Sequence, residues 1–359
     1  MAQNVAKKAP VYNGPKVNVL LDAMGADRGV AEVVRAVGLA LEELPAVRTL
    51  TLVGKERLIK KLLERAGLAS DPRLIVEPAS EVIEMHDRPR DAFKQKKDAS
   101  MFKTMDMLKA GQGEIMVSCG NTGAMMFGGT LKLRPMPGVE RPALGTTMPS
   151  RMQYFILIDA GANPTARPEH LVHQAVLGSH YARVVLGIPK PRVGLLTIGT
   201  EEGKGTELIL KSHEYLRAIN GVINYTGPIE GFQVFQHAVD VIVCDGFTGN
   251  IVLKTCESLF ISMKDFLKDE IKKTPFRMAG AILSQGAFNQ VKTQLNPDKY
   301  GGAPLLGLNR DILKAHGSSN RMAIMNAIRT GCEIVAADMH KRSEEDIARA
   351  NEIIGYKKA

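Results

Sequence analysis

The hydrophobic positions along the chain alternate between the two-residue period of strands and the longer period of amphipathic helices. The apolar runs predict strands at residues 17–21, 49–53, 73–76, 114–118, 143–148, 154–158, 192–198 and 239–244. The segments between them predict helices at residues 30–44, 56–66, 90–110, 122–131 and 168–186. This alternation predicts a doubly wound α/β fold, in which helices cover both faces of a largely parallel sheet.

A different pattern occupies residues 256–295, where two amphipathic segments flank Thr274-Pro275 and predict an αα-hairpin. The bend is basic, with Lys264, Lys268, Lys272, Lys273 and Arg277. Two interpretations stay open. In the first, the apolar stripes pack on each other and on the core. In the second, the tip enters an anionic interface or accepts an acyl chain; its residues would be Phe276, Met278, Ile282, Leu283, Lys272 and Lys273.

The rest of the chain has a simple predicted organisation. A mobile tail covers residues 1–15, one α/β catalytic domain covers residues 16–341, and a polar helix with a tail covers residues 342–359. Residues 1–10 lack the apolar segment of a secretory signal, and no apolar stretch approaches the roughly 18 residues of a membrane span. These features predict a cytoplasmic location.

The charge of the chain narrows the possible partners. Lys and Arg number 47 against 38 Asp and Glu, a formal net charge of +9, which favours phosphate, anionic lipid or an acidic protein as partner. Nucleic acid is not expected, because tryptophan is absent and no basic stripe carries interleaved aromatic residues. The four cysteines are far apart in sequence, which suits a reducing compartment.

Five glycine-rich turns follow predicted strands or open predicted helices, at residues 22–27, 119–123, 199–205, 245–250 and 316–319. Ligands of α/β sheets bind beyond the carboxyl ends of strands, where glycines let backbone N–H groups converge on an anion. Each turn taken alone fits ordinary capping and chain reversal equally well. Five such turns in one chain favour a shared anion site.

Several familiar motifs are absent. Gly199 and Gly203 enclose only three residues where a nucleotide-binding P-loop needs four, and Met116 replaces the third glycine of a dinucleotide fingerprint. No G-x-S-x-G nucleophile motif occurs, and Cys119 has no histidine beside it in sequence. His170 and His173 lack a clear third metal ligand. The sequence therefore predicts no cofactor, no metal and no covalent protein nucleophile.

Eight motifs in order resemble those of one family, the acyl-acyl-carrier-protein:phosphate acyltransferases of bacterial phospholipid synthesis. They cover residues 22–25, 120–124, 141–144, 159–163, 191–196, 244–254, 300–307 and 314–319. The resemblance extends over about residues 17–336. The chain departs from the family pattern at Ala26, at Cys119 and at Phe232-Gln233.

This resemblance implies a fold like that of phosphate acetyltransferases and the isocitrate dehydrogenase group, and a homodimer. It implies transfer of a fatty acyl group from acyl carrier protein to inorganic phosphate. It also implies attachment to the inner face of the cell membrane, where a membrane glycerol-3-phosphate acyltransferase would take the product. Two alternatives remain: a phosphate acetyltransferase that uses acetyl-coenzyme A, and a non-catalytic peripheral scaffold for lipid enzymes.

Under this hypothesis phosphate itself attacks the thioester, so the protein has to position it and stabilise charge. We predict that Lys204 neutralises charge and that His316 donates a proton to the leaving thiol; alternatively, His316 only bonds a backbone carbonyl. Asp22, Asp159 and Asp245 are expected to orient loops. The predicted phosphate- and substrate-binding residues are Asp22, Gly25, Asn121, Thr122, Gly123, Asn163, Asp245, Thr248, Gly249, Asn250 and Ser318.

Overall fold

The computed structural model describes residues 14–201, 203–294 and 301–357. Its strands are β1 Val17–Asp22, β2 Val47–Gly54, β3 Leu74–Pro78, β4 Ile115–Ser118, β5 Ala143–Pro149, β6 Tyr154–Ile158, β7 Arg192–Thr197, β8 Asn224–Glu230, β9 Val241–Val243, β10 Ala303–Leu306 and β11 Asp311–Lys314. Its helices are α1 Val30–Glu43, α2 Glu56–Arg65, α3 Pro89–Gln95, α4 Ser100–Lys109, α5 Thr122–Gly128, α6 Pro168–Val185, α7 Glu207–Ala218, α8 Gly246–Lys272, α9 Pro275–Leu283, α10 Gln285–Gln294, α11 Arg321–Ala336 and α12 Met339–Ile354.

All of these strands belong to one sheet, in the order β3-β2-β1-β4-β11-β10-β5-β6-β9-β7-β8. Most neighbours are parallel, but β10 is antiparallel to both β11 and β5, and β6 is antiparallel to β5. The strand direction therefore reverses in the middle of the sheet. The carboxyl ends of β1, β4, β11 and β5 lie along one edge, and those of β6, β9 and β7 lie along the other.

The predicted fold class is confirmed: helices cover both faces of a mostly parallel sheet. The central strands are nearly continuous apolar runs, as expected for strands that are covered on both sides. Helix α6 is buried along most of its length, including every residue from His170 to Ala182. The main apolar core joins α1, α6 and α11 to the sheet.

Two predicted helices have different boundaries in the structure. Residues 90–110 form two helices because Asp98 leaves the helical path. Its carboxylate accepts hydrogen bonds from the N–H (2.7 Å) and hydroxyl (2.6 Å) of Ser80. Residues 122–131 form α5 and then a π-helical segment, Gly129–Leu133. The elements α7, β8, β10, β11 and α11 were not predicted from the sequence pattern.

The region predicted as a two-helix hairpin contains the outer part of the 27-residue helix α8, followed by α9 and α10. Thr274 caps α9 by accepting a hydrogen bond from the N–H of Arg277, and Pro275 occupies its first position. Leu295, Tyr300 and parts of both predicted tails lie outside the described residues. In the described part of the chain, every helix is too short or too polar to cross a membrane.

Candidate active site

Three adjacent parallel strands, β1, β4 and β11, end together at a buried group of polar side chains. Asp22 ends β1, and its carboxylate accepts hydrogen bonds from the hydroxyls of Ser100 and Ser118, each at 2.7 Å. Lys314 ends β11, and its ammonium donates to the carbonyls of Cys119 (3.3 Å) and Ala315 (2.5 Å). These residues hold the turns at 22–27, 119–123 and 314–319, which together we call the His316 cluster.

Burial perturbs the titratable groups of the His316 cluster. Desolvation raises the pKa of Asp22 to about 6, although the two serine hydroxyls and Lys314 oppose the shift. Desolvation likewise lowers the pKa of Lys314 to about 8 and raises the pKa of Cys119 to about 12. Cys119 is thus a protonated thiol at neutral pH and a poor nucleophile. Perturbed groups of this kind gather at functional sites.

His316 is exposed at the rim of this cluster, on the turn after β11. Its Nδ1 accepts a hydrogen bond from the N–H of Ser318 (3.2 Å) and lies 2.8 Å from the Ser318 hydroxyl. The proton of the neutral ring is therefore on Nε2. Partial desolvation by neighbouring groups and the charge of Lys314 lower the pKa of His316, so the ring is neutral at pH 7. The role predicted for His316, as proton donor to the leaving thiol, stays a prediction.

The neighbouring turn, at residues 119–123, is tightly packed. Asn121 caps α5 by accepting from the N–H of Ala124 (2.9 Å). Its amide donates to the carbonyls of Glu84 (3.1 Å), Met85 (3.0 Å) and Asp87 (3.1 Å). A Cβ on Gly25, whose φ is +77°, would lie 2.8 Å from the Cα of Gly120. The Asn121 side chain is thus engaged within the protein, whereas Thr122 and Gly123 are exposed.

A second group of predicted residues gathers at the opposite edge of the sheet. The carboxylate of Asp159, which follows β6, accepts hydrogen bonds from the N–H groups of Leu144, Gly161, Ala162 and Asn163 and from the Asn163 amide, at 2.7–3.2 Å. Desolvation raises the pKa of Asp159 against these bonds. We call residues 159–163 and 245–250 the Asn250 cluster.

Helix α8 begins inside the Asn250 cluster. Asp245 caps it, accepting from the N–H (2.9 Å) and the hydroxyl (2.7 Å) of Thr248. A Cβ on Gly249 would overlap the carbonyl oxygen of Asp159, so only glycine permits this close approach. Asn250 is exposed and lies against Gly161. Asp22, Asp159 and Asp245 all accept hydrogen bonds that fix loops, which is the arrangement expected of loop-orienting carboxylates.

Lys204 lies on the loop after β7, which is exposed at the same edge of the sheet. β7 is the neighbour of β9, so this loop and the amino end of α8 follow adjacent strands. The ammonium of Lys204 is 2.6 Å from the carboxylate of Glu201, and this pairing raises the pKa of Lys204. Lys204 is thus charged, and a weak surface ion pair holds it.

The five predicted turns therefore form two clusters instead of one continuous basin. β4 and β6 are four positions apart in the sheet, which at roughly 4.8 Å a step separates them by about 19 Å. Helix α8 starts at one cluster and bridges part of this distance. The charge of Lys254 lowers the pKa of both Lys314 and His316 in the other cluster. The sequence pattern predicts no role for Lys254 or Lys314, because their proximity depends on the fold.

The residues predicted to contact membrane or acyl chain lie on the most exposed helices. Phe276 is 92% exposed and Leu283 is 89% exposed, both on α9. Met278, Ile282, Lys272 and Lys273 are exposed as well. An apolar cavity of about 470 Å³ lies nearer the sheet, between α8, α10 and the turn after β5; Phe235, Cys256, Leu259, Phe260 and Val291 line part of it.

The two histidines considered as metal ligands help to dock helices. The Nδ1 of His170 accepts from the N–H of Arg167 at 3.1 Å, and burial lowers the pKa of His170 to about 4. The Nε2 of His173 lies 2.8 Å from the amide oxygen of Asn351 on α12. Across the described ranges, His, Cys, Asp and Glu side chains form no group of three suited to a metal ion.

Comparison with known proteins identifies the family. Residues 17–342 match the family described as "Fatty acid synthesis protein". A phosphate acyltransferase of Akkermansia muciniphila is 40% identical over 94% of this chain and 97% of its own length. One of Aquifex aeolicus is 38% identical over 91% of this chain and 95% of its own. The chain belongs to the phosphate acyltransferase family. The expectation of an acyltransferase is thereby confirmed.

Solved structures support the fold of this phosphate acyltransferase family member. A phosphotransacetylase from Streptococcus pyogenes superposes with a TM-score of 0.61, at 16% identity, over 89% of this chain and 94% of its own. A branched-chain phosphotransacylase from Enterococcus faecalis gives a TM-score of 0.52 at 12% identity, over 89% of this chain and 99% of its own. The predicted likeness to the phosphate acetyltransferase fold is confirmed.

Proposed function

We propose that the protein transfers a fatty acyl group from acyl carrier protein to inorganic phosphate, for glycerophospholipid synthesis. A phosphate oxygen attacks the thioester carbonyl carbon, the C–S bond breaks, and the carrier sulfur takes a proton. The products are acyl phosphate and free carrier protein. Family membership over residues 17–342 carries this proposal. The protonated thiol of Cys119 accords with it, because phosphate makes a protein nucleophile unnecessary.

The two clusters suggest a division of roles. The neutral ring of His316 carries its proton on Nε2, from which it would donate a hydrogen bond to the departing sulfur, while the proton that the sulfur takes would come from the attacking hydrogen phosphate. For one thioester to meet both clusters, the loop that carries Lys204 would have to move towards His316. Lys204, released from Glu201, would then neutralise charge on the phosphate and on the tetrahedral oxyanion. Asn250, Thr122 and Gly123 are exposed and would donate hydrogen bonds to substrate. The other predicted binding residues would keep these groups in position: Asp22, Gly25, Asn121, Asn163, Asp245, Thr248, Gly249 and Ser318.

The apolar cavity supports a fatty acyl donor. At about 470 Å³ it is within the size range of small-molecule sites. An acetyl group would leave most of such a space empty. The likeness to phosphotransacetylases concerns the fold alone and keeps acetyl-coenzyme A as a second candidate donor.

An assay of thioester loss tests the reaction. Purified protein should consume palmitoyl-carrier protein only when phosphate is present, and should release one acyl phosphate for each thioester lost. Acetyl-coenzyme A should react at a small fraction of that rate. Faster reaction with acetyl-coenzyme A would favour the phosphate acetyltransferase alternative. No reaction with either donor would favour a non-catalytic scaffold.

The exposed helices support binding to other surfaces. Apolar side chains on α8, such as Met263 and Phe266, would be covered by a second copy of the chain in a homodimer. Phe276 and Leu283 on α9, beside Lys272 and Lys273, suit the inner face of an anionic membrane. Attachment there would bring acyl phosphate to a membrane glycerol-3-phosphate acyltransferase. Equilibrium sedimentation would test the dimer: a mass of one chain would exclude it.

A further inference from the structure

One flank of α8 carries a charged pair, Lys254 and Glu257, that has no assigned role. Gly249, Leu253, Cys256 and Phe260 recur at helical spacing on the side that is buried against the apolar cluster under β6 and β9. Asn250, Lys254 and Glu257 recur at the same spacing, about 100° around the helix from that side. Lys254 is exposed and Glu257 partly exposed. This flank therefore borders solvent beside the packed face.

The sheet determines what this flank faces. Cys256, Leu259 and Phe260 line the cavity together with Pro149, Ser150 and Arg151, at the carboxyl end of β5. β5 and β11 run in the same direction and only β10 separates them, so their carboxyl ends lie along one edge. Two strand spacings amount to about 10 Å. The middle of α8 thus stands across a cleft from the turn that carries His316.

Electrostatics agree with this placement. The charge of Lys254 lowers the pKa of both Lys314 and His316, whereas Glu257 raises the pKa of His316. Exposed charges separated by much more than about 8 Å would be screened at physiological salt. Lys254 therefore acts across the cleft on Lys314 and His316, and Glu257 acts across it on His316.

Lys254 is held only loosely. Its ammonium lies 2.7 Å from the carboxylate of Glu257, three residues along the helix, and both side chains are at least 40% exposed. Such surface pairs contribute at most about 1 kcal/mol, so the oxygen atoms of a phosphate group can replace the carboxylate. Lys314 is buried and donates to two carbonyls, and Arg28 donates to the carbonyl of Ser318 on the same turn. Lys254, which pairs with a partly exposed carboxylate, is more accessible to a ligand in the cleft than Lys314 is.

We propose that Lys254 binds a phosphate group in the cleft between α8 and the His316 turn, and that Glu257 holds its ammonium while the cleft is empty. The inference rests on the proposed acyl transfer, whose substrates offer two such groups. One is the acceptor phosphate, and the other is the phosphodiester of the carrier's prosthetic arm. Either would gain an ion pair with Lys254 and a hydrogen bond from Nε2 of His316.

Two substitutions test the proposal, one that removes a positive charge from the flank and one that removes a negative charge. Lys254→Gln removes the cation and should raise KM about tenfold or more for the substrate that carries the bound phosphate, with a smaller effect on kcat. Glu257→Gln removes the competing carboxylate and should lower the same KM a few fold. Lys211 and Glu214 form a matched exposed pair on α7, 2.8 Å apart and also three residues apart. Lys211→Gln and Glu214→Gln should leave both KM values unchanged.

The substrate whose KM changes identifies the source of the phosphate. A change confined to inorganic phosphate assigns the acceptor, and a change confined to acyl-carrier protein assigns the prosthetic arm. Both substrates are titrated with the other at saturation. Equal KM values for Lys254→Gln and Lys211→Gln would overturn the proposal, as would shifts of the same sign for Lys254→Gln and Glu257→Gln.

A binding measurement separates this proposal from the proposed reaction. If Lys254 binds the acceptor phosphate, inorganic phosphate should raise the Tm of the unmodified protein and of Glu257→Gln. It should raise the Tm of Lys254→Gln much less. Absence of phosphate-dependent turnover in the unmodified protein would refute the proposed reaction. Normal turnover in both Lys254→Gln and the unmodified protein, with equal KM and Tm responses, would refute only the role of Lys254.

Discussion

The two ends of helix α8 differ sharply in how the protein holds them. At the inner end, Asp245 caps the helix, and Gly246 and Gly249 lie directly against the loop that Asp159 organises. At the outer end, residues 261–269 are all exposed. Surface ion pairs hold the side chains of this end, for example those from Glu270 to Lys273 and Arg277.

This difference suggests separate roles for the two ends of α8. The inner end would position substrate, and the outer end would bind another surface. Buried hydrogen bonds and glycine contacts at the inner end allow little displacement, which suits the substrate-positioning role that we propose for this end. Exposed apolar side chains at the outer end, such as Phe266, gain stability only when another surface covers them. Substitutions at the inner end should therefore change turnover or folding. Substitutions at the outer end should change only where the protein binds.

The largest expected effect comes from Lys204, on the loop after β7, the strand that neighbours β9. Lys204→Ala should lower kcat/KM for acyl phosphate formation by about 10²- to 10³-fold, because a preorganised charge near the oxyanion is lost. The fold should persist, since the side chain is exposed and pairs only weakly with Glu201. Lys60→Ala, which breaks a similar exposed pair with Glu56, is the control. Near-normal turnover of Lys204→Ala would remove Lys204 from the reaction.

Gly249→Ala tests the rigidity of the inner end directly. The added Cβ would overlap the carbonyl oxygen of Asp159, so the amino end of α8 has to shift. We expect a loss of about 3 kcal/mol in the free energy of unfolding, measured with urea. Gly280→Ala on α9 is the matched control, because its Cβ would meet no atom within 4 Å. If both variants were equally stable, the two ends of the helix would not differ as described.

Substitution of Asp22 tests whether burial in the His316 cluster raises the pKa of this carboxylate. The folded-state pKa of Asp22 is raised from 3.8 to about 6, so the folded protein binds more protons than the unfolded chain between these values. The stability due to Asp22 is present at low pH, falls as pH rises towards 6, and is constant above that.

Asp22→Asn should remove this fall. Relative to the unmodified protein, the variant should gain up to about 3 kcal/mol in unfolding free energy between pH 4 and pH 7, from about 1.4 kcal/mol for each pKa unit. Urea titrations at both pH values measure the difference. Asp71→Asn is a useful control, because the side-chain and backbone donors of Arg73 lower the pKa of Asp71, and the variant should change in the opposite direction. Parallel pH curves for Asp22→Asn and the unmodified protein would contradict the raised pKa.

The sequence predicts the fold better than it predicts the site. β1 and α1 are found within one residue of their predicted bounds, because each apolar pattern is complete within a short segment. The break near Asp98 depends on Ser80, which is distant in sequence, and local periodicity therefore missed it. The reversal of strand direction at β10 also depends on long-range pairing. That reversal divides the glycine turns into two clusters, which motif spacing alone does not reveal.

The smallest expected effect concerns the outer end. Lys272→Glu, Lys273→Glu and Leu283→Glu together should release the protein from anionic vesicles, because each basic residue near such a surface contributes about 1 kcal/mol. Turnover of soluble substrates should be unchanged. Co-sedimentation with vesicles rich in anionic lipid measures the effect, and zwitterionic vesicles show how much of it is electrostatic.

A control with the same chemical change separates local from general charge effects. Leu58, Lys60 and Lys61 are exposed on α2, and Leu58→Glu, Lys60→Glu and Lys61→Glu reproduce the change in net charge and hydrophobicity. If attachment depended only on the overall charge of +9, both triple variants would lose vesicle binding equally. Loss of vesicle binding in the triple variant at Lys272, Lys273 and Leu283 alone (the α9 variant) would locate attachment at the outer end. Unchanged binding of the α9 variant would mean that its apolar side chains serve packing between copies of the chain instead.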